Sequence, residues 1–322
     1  MARTYTVCIG NGGIEVGTLR FEAQGNREFS SFEYADTWMA NARAFAIAPS
    51  IPLGSGPFFF KKESDYVSAL PSPLADTTPD SWGRNLIRRD ARENRQDTAP
   101  LTDLDYLMAV DDFSRMGALR IREVADDAPF LAGQPGGRHE IPPVIKLNEL
   151  GQSIANLERQ NPMTAAALRR LRQIGSALGG ARPKCSVIDT DGSLLLAKFT
   201  SRYDTYNVER AEVLTLNLAQ QCGLNAPSAR LDVSDGLPVA LIRRFDRNSN
   251  GRVPYISAQT MLEARDATSG SYTQFAEAIR IHSDDPKRDM TELFKRVAFT
   301  ILVSNVDDHL KNHGFLYTGN NQ

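Results

Sequence analysis

The first part of the chain alternates between apolar and polar residues in a way that predicts β-strands. Residues 5–10 and 16–23 alternate on either side of the glycine-rich turn at residues 11–13, which is a strong hairpin signal. Residues 28–34 continue the alternation and predict a third strand. The next stretch predicts a short helix with Asp36 as its N-terminal cap.

The following region mixes loops, a helix and a strand. Proline, glycine and serine are frequent in residues 48–80, which we predict to be a loop. Residues 117–123 alternate as a strand, and residues 125–143 predict a linker or mobile loop. Between the two loops lies a polar-faced helix, and we favour a solvated face over an anion site for its basic residues, which are Arg84, Arg88, Arg89, Arg92 and Arg95.

The second half of the chain predicts two further strand pairs separated by helices. The first pair turns at residues 191–192 and the second at residues 234–236. Gly223 ends an amphipathic helix between them. The most apolar helix, at residues 290–305, is predicted to be buried. Other helices are predicted near residues 146–159, 163–173 and 207–222. From residue 258 onward the pattern is mostly helical.

The composition is that of an ordinary globular protein. The 322 residues, 41% hydrophobic and 24% charged, suggest two or three domains. A net charge of −2 gives no general attraction to nucleic acid or to an anionic membrane. No run of about 18 apolar residues occurs, so we expect no transmembrane helix. Three cysteines without a CxxC pair indicate a reducing cytoplasm rather than a disulfide framework: Cys8, Cys185 and Cys222.

A loop of small residues, GSALGGARPK at positions 175–184, is the first candidate for chemistry. Gly179 and Gly180 let backbone N–H groups approach an anion closely, and Arg182 and Lys184 add positive charge. The loop has neither the spacing of a Walker A loop nor that of the protein-kinase glycine loop. Taken alone, such a stretch is more often an ordinary turn than a phosphate site.

The strand pair after this loop carries a lysine in a kinase-like position. Lys198 lies between Ala197 and Phe199, so its side chain points to the opposite face from theirs. In kinases a strand lysine at this place pairs with nucleotide phosphates, and a glutamate on the next helix holds it. Of Glu209 and Glu212 we prefer Glu212, because it lies deeper in the helix. An exposed lysine and a solvated helix acid are the alternatives.

The end of the chain has the spacing of a kinase catalytic loop. Asp307 and Asn312 are separated by four residues, as in D-x-x-x-x-N, where the aspartate accepts a hydroxyl proton and the asparagine binds Mg²⁺. The HR of ordinary protein kinases is absent before the aspartate, and the motif is weak alone. Its place after the other elements, in kinase order, strengthens it. His309 and His313 could share a metal, but no third histidine is near, so we favour a supporting role for His309.

Together these segments resemble the HipA family, the serine/threonine-kinase toxins of bacterial HipBA toxin–antitoxin pairs. SALGGARPK is similar to the family's phosphate loop, and four other segments follow in the family's order and spacing: LLAKF, RAEVLTLNLAQQCGL, RRFDR and VDDHLKNHGFLY. SFEYADTWM and WGRNLIRRDARE are similar to its N-terminal subdomain. The resemblance covers nearly the whole chain, and the combination of motifs is specific although no single motif is.

The resemblance implies an α+β fold, kinase-like and two-lobed, with an added β-rich N-terminal subdomain and an incomplete all-α C-terminal lobe. We place the N-terminal subdomain at residues 1–115, the kinase-like N-lobe at 116–256 and the start of the helical lobe at 257–322. ATP and Mg²⁺ are the implied cofactors. The implied partners are a HipB-like antitoxin, operator DNA reached through that antitoxin, and a protein substrate.

Individual roles also follow from the resemblance. Asp307 is implied to be the catalytic base and Asn312 a Mg²⁺ ligand. Ser176 matches the serine that such kinases autophosphorylate, and a phosphate there adds about two negative charges where ATP phosphates belong. Arg244 and Asp246 in RRFDR receive no role. The implied ATP-binding residues are Ser176, Gly179, Gly180, Arg182, Lys184, Lys198 and Glu212.

One departure from the family concerns the second metal ligand. In the family a strand such as FLYTGNNQ leads to a YDL-type segment whose aspartate binds Mg²⁺, whereas this sequence stops at Gln322. We therefore expect a C-terminally truncated chain with little ATPase or autokinase activity, because loss of a charged ligand costs orders of magnitude in rate. A HipA-type kinase acting on a target of the aminoacyl-tRNA synthetase kind is the first hypothesis. A non-catalytic antitoxin-binding or co-repressor module and a small-molecule kinase are the alternatives.

Overall fold

The N-terminal part of the chain is built on an antiparallel sheet. In this computed structural model, the described residues are 2–94, 99–125, 128–131, 141–175, 177 and 179–319. The strands of the first sheet are β1 (Arg3–Ile9), β2 (Ile14–Gln24), β3 (Arg27–Tyr34), β4 (Phe58–Lys61) and β5 (Leu119–Glu123). They lie in the order β4-β3-β2-β1-β5. The predicted hairpin and third strand are confirmed, with Ile9 paired to Ile14 across the first turn.

The helices divide between the N-terminal part and the rest of the chain. They are α1 (Asp36–Met39), α2 (Ser72–Ala75), α3 (Ser81–Asn94), α4 (Asp103–Ala109), α5 (Leu147–Glu158), α6 (Ala165–Gly175), α7 (Val208–Gln221), α8 (Ala258–Met261), α9 (Tyr272–His282) and α10 (Pro286–Leu302), with 3₁₀ turns at Val144–Lys146 and Leu310–Asn312. None of them, within the described part of the chain, is long and apolar enough to cross a bilayer.

One face of the first sheet is covered by short helices and loops. Alternate residues of β3 are buried, as expected for a strand with one face on a core. The core beneath it includes Val7, Leu19, Phe21, Phe32, Trp38, Ile51, Leu74, Leu104 and Ile121. Residues 48–80, predicted as a loop, contain β4 and α2, because the consecutive phenylalanines at 58–60 pair with β3 and the apolar residues at 73–74 are buried.

The predicted capping role of Asp36 is wrong. Ala35 occupies the N-cap of α1 and no side chain caps that helix. Asp36 is the first helical residue, where its negative charge still faces the positive end of the short helix.

A second antiparallel sheet forms the middle of the chain. Its strands are β6 (Lys184–Ile188), β7 (Leu194–Phe199), β8 (Ala229–Ser234) and β9 (Leu237–Arg243), in the order β6-β7-β9-β8. Both predicted hairpins are confirmed. The core on this sheet joins strand residues to α3, α5 and α6 and includes Trp82, Leu86, Leu150, Ile154, Leu171, Ile174, Cys185, Val187, Ala197, Phe199 and Leu241.

The basic face of α3 packs against its neighbours rather than lying only in solvent. The Arg84 guanidinium lies 4.2 Å from the centre of the Tyr106 ring. Arg89 donates to the backbone carbonyls of Leu157 and Asn161 at 3.2 and 3.0 Å. The expectation of a solvated face therefore fails for these arginines, because their alkyl stems and planar heads cover apolar surface. Arg95 lies outside the described residues.

A buried ionic cluster joins the first part of the chain to the second. The Asp246 carboxylate accepts bonds from Arg244 at 2.7 and 2.6 Å and from Arg247 at 2.8 Å. It also accepts the N–H of Gly117 at 2.7 Å. Arg244 donates onward to the carbonyl of Ser114 at 3.2 Å. Arg244 and Asp246, which received no role from the sequence, thus hold the two parts together.

The C-terminal part is smaller and less covered. It holds β10 (Arg247–Asn248), β11 (Gly251–Arg252), β12 (Tyr255–Ser257) and β13 (Gly314–Leu316), of which β12 pairs with β13. The prediction that residues 290–305 are buried is wrong. In the described structure α10 buries only Leu293, while Phe294, Ile301 and Leu302 are 74%, 71% and 82% exposed. The physical reason is that α10 packs mainly on α9, which leaves these three side chains exposed.

Candidate active site

The strand lysine and the helix glutamate singled out from the sequence form an ion pair. Lys198 on β7 places its Nζ against Oε1 of Glu212 on α7. Ala197 and Phe199 are buried on the other face of the strand, as the alternation predicted. The side chains of Lys198 and Glu212 are 23% and 26% exposed. A ligand can therefore reach the lysine while the glutamate holds it.

Glu209 has a different task. It is buried and accepts a hydrogen bond from Arg182 at 2.8 Å and one from Thr200 at 3.0 Å. Arg182 also binds Asp204, with Nη2 at 2.6 Å from Oδ2. The hydrogen bond with Asp204 raises the pKa of Arg182 above its ordinary value. Arg182 is thus engaged by two carboxylates and ties the end of the glycine loop to α7.

Lys184 is buried opposite Lys198. The two lysines are direct cross-strand partners on β6 and β7. The Lys184 ammonium donates to the carbonyl of Gly179. Burial, and then the nearby charge of Lys198, lower the pKa of Lys184 to about 8. Lys184 therefore contacts the glycine loop directly, next to the charge of Lys198 on the neighbouring strand.

The stability of the protein should depend on pH through Lys184. A lowered pKa in the folded state means that, between about pH 8 and about pH 10.4, the unfolded chain binds a proton that the folded chain does not. The free energy of unfolding then rises with pH across this window, by up to about 3 kcal/mol. Urea titrations at about pH 7 and about pH 9.5 measure the rise, and Lys184→Met should abolish it. Identical pH profiles for the two proteins would contradict the assignment.

The described part of the glycine loop is docked on the start of α3. Gly180 has a φ of +87°, which favours glycine, and its N–H donates to Asp80 Oδ2 at 3.0 Å. Its carbonyl accepts the N–H of Trp82 at 3.2 Å. The Trp82 indole donates to the carbonyl of Lys184 at 2.9 Å. Ser176, proposed from the sequence for ATP binding and autophosphorylation, lies outside the described residues.

The catalytic loop predicted from D-x-x-x-x-N brings its two residues together. The Asn312 side-chain amide donates to the backbone carbonyl of Asp307 at 2.6 Å. The Asp307 side chain is 83% exposed, and its Oδ1 lies 3.6 Å from His309 Nε2. His309 in turn accepts the N–H of Lys311 at 3.3 Å, which fits the supporting role favoured for it. The carboxylate of Asp307 is thus open to a substrate.

A second network fixes the loop just beyond Asp307. Asp308 Oδ1 lies 2.6 Å from His313 Nε2, and the Tyr272 hydroxyl donates to Asp308 Oδ2. That hydrogen bond raises the pKa of Tyr272 to about 12. Phe275 packs edge-on against the His313 ring with centres 5.3 Å apart. His313 is therefore part of a packed support.

The glycine loop and the catalytic loop meet through Asp80. Its Oδ1 accepts the Lys311 ammonium at 2.9 Å, while its Oδ2 holds the Gly180 N–H. A cavity of about 1350 Å³ reaches this place, and its lining includes Gly179, Lys311 and Asn312. Lys198, Glu212 and Asp307 are not among its lining residues, so the cavity adjoins the site rather than defining it.

The described residues offer modest means of holding a metal. They contain no group of three or more His, Cys, Asp or Glu side chains placed to bind one. Asn312 supplies one amide oxygen on the exposed loop. Mg²⁺ is commonly bound by one or two carboxylates together with substrate phosphates, so Asn312 alone would give a magnesium site only a neutral ligand, with the remaining ligands supplied by a nucleotide and water.

Sequence reasoning missed Asp80, Lys311 and the Tyr272–Asp308 pair. Lys311 lies inside the recognised motif, and its charge next to Asn312 was a usable signal. Asp80 lies 100 residues from Gly180 and 231 from Lys311, and no local pattern reports contacts of that range.

Comparison with known proteins identifies the family of the chain. The family model for the HipA N-terminal domain matches residues 7–122, and that for the HipA-like C-terminal domain matches residues 176–322. Together they cover most of the chain, which therefore belongs to the HipA family. A putative kinase of Sinorhizobium fredii, Y4dM, is 25% identical over 143 residues, or 40% of this chain and 34% of that protein. The match thus spans about a third of the curated relative.

One solved structure shares the fold of this chain, and a second was compared with it. HipA of Shewanella oneidensis MR-1, determined with HipB and operator DNA, gives a TM-score of 0.65 at 16% identity, covering 97% of this chain and 72% of that chain. The Helicobacter pylori proinflammatory kinase CtkA gives only 0.37 at 20% identity, over 44% of this chain and 50% of that one. The predicted α+β, kinase-like fold with a β-rich N-terminal subdomain is confirmed.

Proposed function

We propose that this chain is a HipA-type toxin that transfers a phosphoryl group from ATP to a serine or threonine hydroxyl of a protein. The Lys198–Glu212 ion pair carries this proposal. It is the pair that a kinase needs to position nucleotide phosphates, and it joins a strand and a helix in the kinase order. Asp80 brings the glycine loop next to the loop of Asp307 and Asn312, which completes the arrangement.

The chain's own residues divide the work. Lys198 binds a phosphate oxygen, and Glu212 fixes the lysine so that less freedom is lost on binding. The Gly179–Gly180 segment allows close approach of a phosphate because it carries no side chains. Asp307, open to solvent, accepts the proton of the attacking hydroxyl. Asn312 would hold Mg²⁺ together with the phosphates, and the ion would neutralise phosphate charge when bound.

Further aspects of the proposal rest on the family. The Shewanella HipA was solved with HipB and operator DNA, which supports a HipB-like antitoxin as partner and DNA contact through that partner. A net charge of −2 fits this indirect contact. The substrate is proposed to be a protein of the aminoacyl-tRNA synthetase class, with autophosphorylation at Ser176 and a cytoplasmic site of action.

Nucleotide binding tests the proposal. Lys198→Met should weaken ATP binding by roughly 10- to 100-fold, because it removes a charge-assisted hydrogen bond to phosphate. Isothermal titration of the purified chain with ATP and Mg²⁺ measures the change. Lys146→Met is the matched control, since Lys146 forms an exposed ion pair with Glu149 far from the site in sequence. Equal ATP affinity in the Lys198 variant and the unaltered chain would refute the assignment.

A further inference from the structure

The peptide group between Gly179 and Gly180 is held from both sides. Its carbonyl oxygen, on Gly179, accepts a hydrogen bond from the Lys184 ammonium. Its N–H, on Gly180, donates to Asp80 Oδ2 at 3.0 Å. Both glycines are exposed. One backbone donor that this loop would offer to a phosphate, the Gly180 N–H, is thus occupied by a carboxylate of the protein itself.

The same carboxylate holds a cation of the catalytic loop. Asp80 Oδ1 accepts the Lys311 ammonium at 2.9 Å, with the two side chains 30% and 42% exposed. Burial acts to raise the pKa of Asp80, but Lys311 and the Gly180 N–H outweigh it, so the pKa is lowered. Asp80 is therefore an ionised group that solvent and ligands can still reach.

The surroundings of the Asp80 carboxylate are those of a bound phosphate oxygen. A backbone N–H from a glycine loop and an ammonium group converge on it, and these are the donors that proteins use for phosphates. A phosphate cannot take the same donors while the carboxylate is there, and the two anions repel each other. The Trp82 N–H also binds the Gly180 carbonyl at 3.2 Å, so the start of α3 is what brings Asp80 to the loop.

We propose that Asp80 is an internal competitor of the nucleotide. Its carboxylate occupies the position of a phosphate oxygen, and ATP binds there after Asp80 releases Gly180 and Lys311. This inference rests on the proposed function, because it takes the glycine loop as the phosphate site. Nucleotide affinity is then set in part by a residue of the N-terminal part of the chain.

Nucleotide titration of an Asp80→Asn variant tests the inference. The amide keeps the size of the side chain but removes the charge, so ATP should bind roughly tenfold more tightly in a partly solvated site. Asp65→Asn is the matched control, because it removes the same charge from an exposed position of the same part of the chain and should leave affinity unchanged. Thermal melting of each variant confirms that it folds.

Two further arms identify the mechanism. Without Mg²⁺, the Asp80→Asn variant should again bind ATP more tightly than the unaltered chain. If the variant instead binds ATP more weakly, and only when Mg²⁺ is present, Asp80 is a metal ligand and the inference is overturned. In a Lys311→Met background the effect of Asp80→Asn should shrink, because one of the contested donors is gone. If Asp80→Asn tightens ATP binding equally in the Lys311→Met background, the proposal that Asp80 and the nucleotide compete for Lys311 is overturned.

The Lys198→Met titration separates this inference from the proposed function. If Lys198→Met weakens ATP binding while Asp80→Asn leaves it unchanged or weakens it, Asp80 is not a competitor although the nucleotide site stands. If the chain binds no ATP, or if Lys198→Met has no effect, the proposed function fails and the inference fails with it.

Discussion

We expect the Asp307→Asn variant to incorporate phosphate at Ser176 about a thousandfold more slowly than the unaltered chain. The amide cannot accept the hydroxyl proton, while its size and the backbone carbonyl bonded by Asn312 are retained. The loop should therefore keep its shape and ATP should still bind. The two initial rates are measured with radiolabelled ATP and Mg²⁺, at a protein concentration high enough to detect the low autokinase activity expected of the unaltered chain.

A matched control keeps this result specific. Asp235 is exposed in the turn between β8 and β9 with a φ of 49°, a conformation that asparagine tolerates. Asp235→Asn should leave the rate unchanged. Phosphate incorporation by Asp307→Asn at the rate of the control would show that this carboxylate is not the catalytic base.

The second large effect concerns stability. Asp246→Asn should lower the free energy of unfolding by about 3–5 kcal/mol, because it leaves the buried guanidinium groups of Arg244 and Arg247 without their counter-charge. Urea unfolding measures the loss. The control is Asp191→Asn, whose partner Arg243 is exposed, as is Asp191 itself, so the expected loss is far smaller. Similar losses in the two variants would show that the buried cluster contributes little.

The carboxylate of Asp246 should also make the stability of the protein fall at acid pH. Burial acts to raise the pKa of Asp246, but the charges of Arg244 and Arg247 outweigh it and lower the pKa to about 2. Because the pKa is lower in the folded state, the stabilisation is complete above the unfolded value of about 3.9 and is lost as the pH falls toward about 2. The Asp246→Asn variant should not show this part of the acid transition.

Most of the strands could be predicted from sequence because alternation and turn residues are local signals. The hairpins at residues 11–13 and 191–192 follow from this. Burial of a whole helix is not local. The apolar residues of α10 predicted a buried helix, but whether its outer face is covered depends on neighbours distant in the sequence.

The candidate site divides in the same way. Lys198 and Glu212 are 14 residues apart in a strand–helix unit, and their meeting could be predicted from the kinase order. The partners of Glu209 and the role of Asp80 could not, because Arg182 and Lys311 reach them from loops whose paths depend on the whole fold. Arg182 shows the limit most clearly, since a cation beside a glycine loop predicts a phosphate contact and the structure gives it two internal carboxylates.

The packing of α3 limits which segments can be swapped between members of this family. Trp82 and Leu86 lie in the core of the second sheet, and a side chain added at Gly175 of α6 would come within 2.9 Å of Leu86. A chimera that takes residues 1–115 from a relative would insert a foreign α3 into this core. Functional hybrids should therefore be recovered when α6 is exchanged together with the N-terminal segment.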